Sequence, residues 1–131
     1  MEFNQEAHIN LDSLFHKYNF EVIEETKNYL QLKSPFLVII LVYDPGERSN
    51  NIYIITSSSS SRTIGLDNEI FKDFFKSNLR LSSTDVKKFV DTLAKFFENE
   101  GKLILQGDIK EIVRLEMYSS LRDKIYTDKF K

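Results

Sequence analysis

The chain has 131 residues, a formal net charge of −2, 41% hydrophobic and 29% charged residues, and no cysteine. That length suits one domain able to bury roughly two thirds of its unfolded surface without a metal or disulfide staple. The missing cysteines exclude a disulfide framework, a thiol nucleophile and a cysteine metal site, and the acidic balance argues against a duplex-DNA binder, which needs a basic face.

The N-terminus, Met1-Glu2-Phe3-Asn4-Gln5-Glu6, lacks the basic region and apolar core of a signal peptide. The longest apolar run falls far short of the ~20 residues that span a bilayer, so a cytoplasmic location is expected. A first helix is predicted over residues 10–18, where Leu11, Leu14, Phe15 and Tyr18 fall on one apolar stripe, with Asn10 as N-cap and Asn19 as a left-handed stop.

Four strands follow. Residues 20–25 alternate, with Phe20 and Val22 on one face and Glu21, Ile23 and Glu25 on the other. A turn at 26–28 leads into residues 29–33, where Leu30 and Leu32 oppose Tyr29, Gln31 and Lys33. Residues 36–43 (Phe-Leu-Val-Ile-Ile-Leu-Val-Tyr) do not alternate at all, so both faces of this strand need cover and it belongs inside the sheet. After a turn over 44–50 containing Pro45-Gly46, residues 51–56 supply the fourth strand. The short connections favour an antiparallel meander, because parallel pairing needs a crossover of about a dozen residues.

Five serines at 57–61 open a loop that runs to residue 65 and separates a strand-rich part (20–56) from a helical part (67–126). Three helices are predicted there. Asp67 caps residues 68–76, with Ile70, Phe71, Phe74 and Phe75 as an aromatic stripe. Ser82 and Asp85 form a capping box for a helix carrying Val86, Phe89, Val90, Leu93, Phe96 and Phe97, closed by a left-handed Gly101. Leu103-Ile104-Leu105 reads as a buried connector. Gly107-Asp108 then starts a last helix with Ile109, Ile112, Val113, Glu116, Met117, Leu121 and Ile125 on one side. The expected fold is a single α+β domain over 1–131: an N-terminal helix, a four-stranded antiparallel meander sheet, and three C-terminal helices packed on one sheet face.

Nothing in this pattern advertises catalysis. His8 and His16, eight residues apart, would stand about 12 Å apart on a continuous helix, too far to share a metal. Glu24-Glu25 at a strand end reads as a solvated pair, since acid–base work requires burial or a neighbour to move a pKa. The serine tract lacks the glycines and lysine of a phosphate loop, and no hydrolase, zinc or dinucleotide motif occurs. No catalytic residue, cofactor or metal ligand is therefore assigned. The sheet face turned away from the C-terminal helices is the remaining candidate, with the first helix or the serine loop as its alternative cover. It carries Tyr29 and Lys33, with Tyr53 from the fourth strand if that strand's odd positions face outward, and Glu24, Glu25 and Glu47 at its margins. Aromatic anchors within an acidic rim are what a protein interface requires.

Two passages resemble the small α+β immunity proteins of bacterial toxin–immunity loci and their relatives. The first is Leu14-Phe15-His16-Lys17-Tyr18-Asn19-Phe20 with the strands leading to Leu41-Val42-Tyr43-Asp44-Pro45-Gly46-Glu47-Arg48; the second is Leu103-Ile104-Leu105-Gln106-Gly107-Asp108. Asn19 replaces the usual glycine, and the serine tract is not part of the pattern. The resemblance implies a non-enzymatic protein that occludes a cognate toxin domain, and it transfers no individual site residue. Two other readings stand beside it: a homodimer formed through the same sheet face, and a small-molecule binder or enzyme with a site between sheet and helices.

Overall fold

Strand alternation sorts the apolar residues into two unequal faces. The computed structural model describes residues 2–44, 50–56, 62–76 and 85–129. Strands β1 (Glu21–Thr26), β2 (Tyr29–Lys33), β3 (Leu37–Val42), β4 (Asn51–Thr56) and β5 (Thr63–Leu66) form one sheet in the order β1-β2-β3-β4-β5, every pair antiparallel. Register aligns Leu30, Leu41, Ile52 and Leu66 in one row and Leu32, Ile39, Ile54 and Ile64 in the next. These eight side chains are all at most 2% exposed and define an inner face. The unbroken run of β3 thus divides into fully buried Leu37, Ile39 and Leu41 and half-buried Val38, Ile40 and Val42.

Helices α1 (Phe3–Lys17), α2 (Asn68–Asp73), α3 (Val86–Glu98), α4 (Lys102–Leu105) and α5 (Ile109–Lys129) supply the covering layer. Aromatic rings build it. Phe3 stacks on Tyr43 and Phe89 at 5.9 and 5.7 Å, and Phe15 meets Phe20 and Phe97 edge-on at 5.5 Å. Phe96 in turn takes the edges of Phe71, Phe75 and Phe97. These rings join the inner sheet rows in one buried cluster that also includes Ile104, Leu105 and Leu115. Among the described residues no helix is long and apolar enough to cross a membrane.

The α+β class and the antiparallel meander agree with expectation, but several details differ. The sheet has five strands, because Thr63–Leu66, expected as loop, pairs with β4 and turns Ile64 and Leu66 inward. The serine tract therefore precedes a further strand instead of dividing sheet from helices. Among the described residues four helical segments follow the sheet, since Lys102–Leu105 forms its own turn of helix. Helix α1 begins at Phe3, where the Glu2 N–H donates to the Gln5 side chain. Asn10 lies inside the helix and donates back to the Glu6 carbonyl, so it caps nothing. Phe36 falls outside β3 and lies 49% exposed, its ring over Gly107. Gly107 has φ +70, and a Cβ there would run into that ring. Gly101 adopts φ −87 and is not a left-handed cap, whereas Asn19 is left-handed at φ 64 as predicted. Asp67 and Asp85 cap α2 and α3, accepting from backbone N–H groups two or three residues on. The serine tract at 57–61, Ser82 and the turn at 45–49 lie outside the described residues.

Phe3 ties the start of α1 to both the sheet and α3 while fully buried. Phe3→Ala is expected to lower the unfolding free energy by about 3–5 kcal/mol, through lost transfer and a residual cavity. Urea denaturation checks this, and a loss under about 1 kcal/mol would show that the helix start is dispensable.

Candidate interaction surface

On the face opposite the helices, the same register builds a second pattern. Its central row runs Glu24, Gln31, Ile40, Tyr53, Gly65 across the five strands. One flanking row holds Glu21, Lys33, Val38, Ile55 and Thr63, and the other Thr26, Tyr29, Val42 and Asn51. Every residue in this set is half-buried or exposed, unlike the inner rows. The middle is aliphatic (Val38, Ile40, Val42 and Ile55), with a tyrosine on each side.

Neighbours hold both tyrosines in place. The Tyr53 ring lies across Gly65, where an added Cβ would stand 3.4 Å from it, in ordinary van der Waals contact. Tyr29 donates its hydroxyl to Gln31 Oε1 at 2.6 Å. Burial, and then the charge of Glu24, push the Tyr29 hydroxyl above its ordinary pKa, so it stays a neutral donor. At the corner near β1, Asn19, Glu21, Ile23, Lys33, Ser34 and Pro35 line a shallow hollow.

Of the residues singled out from sequence, Glu24, Tyr29, Lys33 and Tyr53 share this face. Glu25 does not. The β1–β2 register slips between Val22 and Glu24, so Ile23 is a bulge residue. One extra residue turns the following side chains over, which puts Glu24 on the outer face and Glu25 opposite Leu30 on the helix side. Glu47 lies outside the described residues. The aliphatic centre was only partly legible, because an unbroken apolar run does not say which of its members stay uncovered.

Glu25 instead completes a cluster with α1. Its carboxylate accepts from Asn4 Nδ2 at 2.6 Å and faces His8 Nε2 at 2.9 Å, while His8 Nδ1 faces Asp12 at 2.8 Å. With a carboxylate at each ring nitrogen, only the imidazolium can donate to both. The Glu25 hydrogen bond is the main cause that raises the His8 pKa above 6.5; burial opposes it and Asp12 adds to it. The His8 bond, then that from Asn4, lowers the Glu25 pKa in return. Sequence analysis weighed His8 only as a metal ligand beside His16, and a carboxylate partner seventeen residues away in the chain leaves no local signal.

A second polar junction fixes α5. Asp67 accepts from the Ile70 N–H and from both terminal nitrogens of Arg122, at 2.9 to 3.1 Å. Burial alone would raise the Asp67 carboxyl, but Arg122 and the helix N–H groups hold it below its usual value. Arg62 pairs with Asp123 close by. Among the described residues no group of three or more histidines and carboxylates is arranged to hold a metal ion.

No protein-family model, curated protein or solved structure matches the chain.

The His8 cluster makes stability depend on pH in a defined direction. Because the folded chain holds the His8 proton more tightly than the unfolded one, this contribution is complete below pH 6.5 and is lost as pH rises through the raised pKa. The urea midpoint is expected to fall between about pH 6 and about pH 8, and His8→Gln should flatten that slope. Identical profiles for the two proteins would show that the clamp contributes nothing.

Proposed function

We propose that the protein acts by binding another protein across the outer sheet face, without itself catalysing a reaction. The observation that carries this reading is the contrast between the two faces of one sheet. The inner rows are shut in by helices, whereas Val38, Ile40, Val42 and Ile55 form an apolar centre flanked by Tyr29 and Tyr53 with no described helix burying them. An apolar and aromatic centre within a polar rim is the anatomy of a protein interface. Two ordered tyrosines supply large contact area at little cost in conformational entropy, which favours them as anchors.

Charge adds a preference. Glu21 and Glu24 stand together at the β1 margin of the face, so a partner carrying basic groups on that side would be steered and oriented there. The resemblance to immunity proteins supports a toxin domain as the partner, with inhibition by steric occlusion inside the bacterial cytoplasm. A small-molecule site between sheet and helices is disfavoured, because Phe3, Phe89, Phe96 and Phe97 fill that layer at 0% exposure.

A photo-crosslinking amino acid placed at Tyr53 or Lys33, with exposed Lys95 on α3 as control, tests the reading in cells that carry the native locus. One protein is expected to crosslink from positions 53 and 33 and not from 95, and Ile40→Lys should abolish the product. Wild-type chain, but not Ile40→Lys, should then neutralise growth inhibition by that partner. Crosslinks confined to position 95, or none from either outer position, would overturn the proposal.

A further inference from the structure

The two edges of the sheet are built differently. On β1 the bulge at Ile23 and the glutamates interrupt the row of backbone groups, as an edge protected against pairing requires. The β5 edge has no bulge, proline or lysine. Thr63, Ile64, Gly65 and Leu66 oppose Ile55, Ile54, Tyr53 and Ile52 in unbroken register.

One bond fixes which groups of β5 are free. The Thr56 N–H donates to the carbonyl of Arg62, directly opposite it, at 3.0 Å. Antiparallel pairing alternates between facing residues that exchange hydrogen bonds and facing residues that do not. Ile64 and Leu66 therefore turn their N–H and C=O groups to β4, whereas Thr63 and Gly65 turn theirs to the open side. Counting from the other side of the sheet, where the Ser34 N–H donates to the Leu37 carbonyl, gives the same phase. Among the described residues no hydrogen bond reaches the outward groups of Thr63 and Gly65, and both residues are exposed. Ile64 and Leu66 are 1 and 2% exposed. The edge thus presents two donors and two acceptors, spaced about 6.8 Å apart as in any extended strand.

Both ends of β5 are pinned. Arg62, just before it, pairs with Asp123, and Asp67, just after it, is gripped by Arg122. The edge holds strand geometry before anything docks, which removes part of the ordering cost of association. The complement of such an edge is a second extended backbone. A partner helix cannot supply it, because its backbone groups are already paired within the helix.

We propose that the partner of the outer face adds an extended segment to β5 as a sixth antiparallel strand. This rests on the sheet-face reading and states how the partner engages that face. Residues facing Thr63 and Gly65 share their side of the sheet, so they prolong the rows that hold Ile55 and Tyr53. The one facing Gly65 meets no side chain from β5, and a broad side chain there reaches the Tyr53 ring that lies across Gly65. The fitting segment therefore has no proline at these two positions, an aromatic residue opposite Gly65 and a β-branched residue opposite Thr63.

Two measurements test this. In amide hydrogen exchange on the isolated full chain, Thr63 and Gly65 are expected to exchange at least about tenfold faster than Ile64 and Leu66. In complex with the protein captured by the photo-crosslinker at position 53, both should slow by at least about tenfold. Thr63→Pro deletes one outward N–H at the first position of a strand, where proline is tolerated, and leaves the ladder to β4 intact. With its urea midpoint retained, it should cut the crosslinked yield from position 53 about tenfold. If Thr63→Pro does not fold, the exchange rates decide alone. Equal protection of all four amides in the isolated chain, unslowed Thr63 and Gly65 in the complex, or undiminished crosslinking by folded Thr63→Pro would overturn this proposal and leave the sheet-face reading standing. A mass that doubles with concentration, and no longer does so in Thr63→Pro, would give the edge to a second copy and overturn it too. No crosslink from position 53 or 33 in the otherwise wild-type chain would overturn the sheet-face reading and this proposal with it.

Discussion

One constraint organises the structure: the inner face of a five-stranded sheet must be covered, and almost everything on it is aliphatic. Leu30, Leu32, Leu37, Ile39, Leu41, Ile52, Ile54, Ile64 and Leu66 offer no hydrogen bond that could make exposure tolerable. Phenylalanine provides the cover. Helix α1 reaches across β1 and β2 so that Phe15 packs at one end on Phe20, at the start of β1, and Phe3 packs at the other on Tyr43, just past β3. Asn4 also donates its N–H to the Lys27 carbonyl in the β1–β2 turn, fixing the distal end of the helix. Helix α3 lies beside α1 and shares both contacts, through Phe89 with Phe3 and Phe97 with Phe15.

The bulge at Ile23 shows how one residue redistributes chemistry between two faces. Without it, strict alternation would leave Glu25 on the outer face beside Glu21, and Glu24 would point at α1. With it, the outer face keeps Glu21 and Glu24, and Glu25 reaches His8 and Asn4. The edge strand of a sheet is where such a device serves twice. The bulge, together with three glutamates, makes β1 a poor template for pairing with another chain, and it also supplies a polar attachment for α1.

Legibility in the sequence followed physical strength. Strands β2 to β4 were readable because their neighbours in sequence are their neighbours in space, and helix α3 because its apolar stripe is long, although it packs on α1 from far away in the chain. Asn10 misled because its preference for N-caps is real, yet Phe3, Ala7, Leu11 and Phe15 already recur at helical spacing across it, and tertiary burial overrides a local preference. Strand β5 escaped because Gly65 is a poor strand former in isolation; it is accommodated by the Tyr53 ring that crosses it. For the outer face, sequence placed Tyr29 and Lys33 where the register puts them, whereas alternation gave that side of β1 to Glu25 and left Glu24 at the margin. It could not choose between Tyr53 and Ile55 or Ile52 and Ile54 as the outward pair, because all four are apolar enough for either side.

Helix α5 exposes the deeper limit of such reading. Periodicity measures which residues share a side of a helix, and hydrophobicity measures which sides resist water; neither says whether the chain itself provides the cover. On α5 the side that packs internally is the more polar one, held by Thr56, Asp67 and Arg62, and the more apolar ridge points away. A helix needed only for folding would place its largest apolar residues against the core, where burial stabilises by ~25 cal/mol per Å². Both α5 and the outer face of β3 depart from this arrangement, which is why periodicity alone does not separate their buried side from their exposed one. On the outer face of β3, the apolar residues in excess of what the core uses are the ones to which the proposed interface assigns a role.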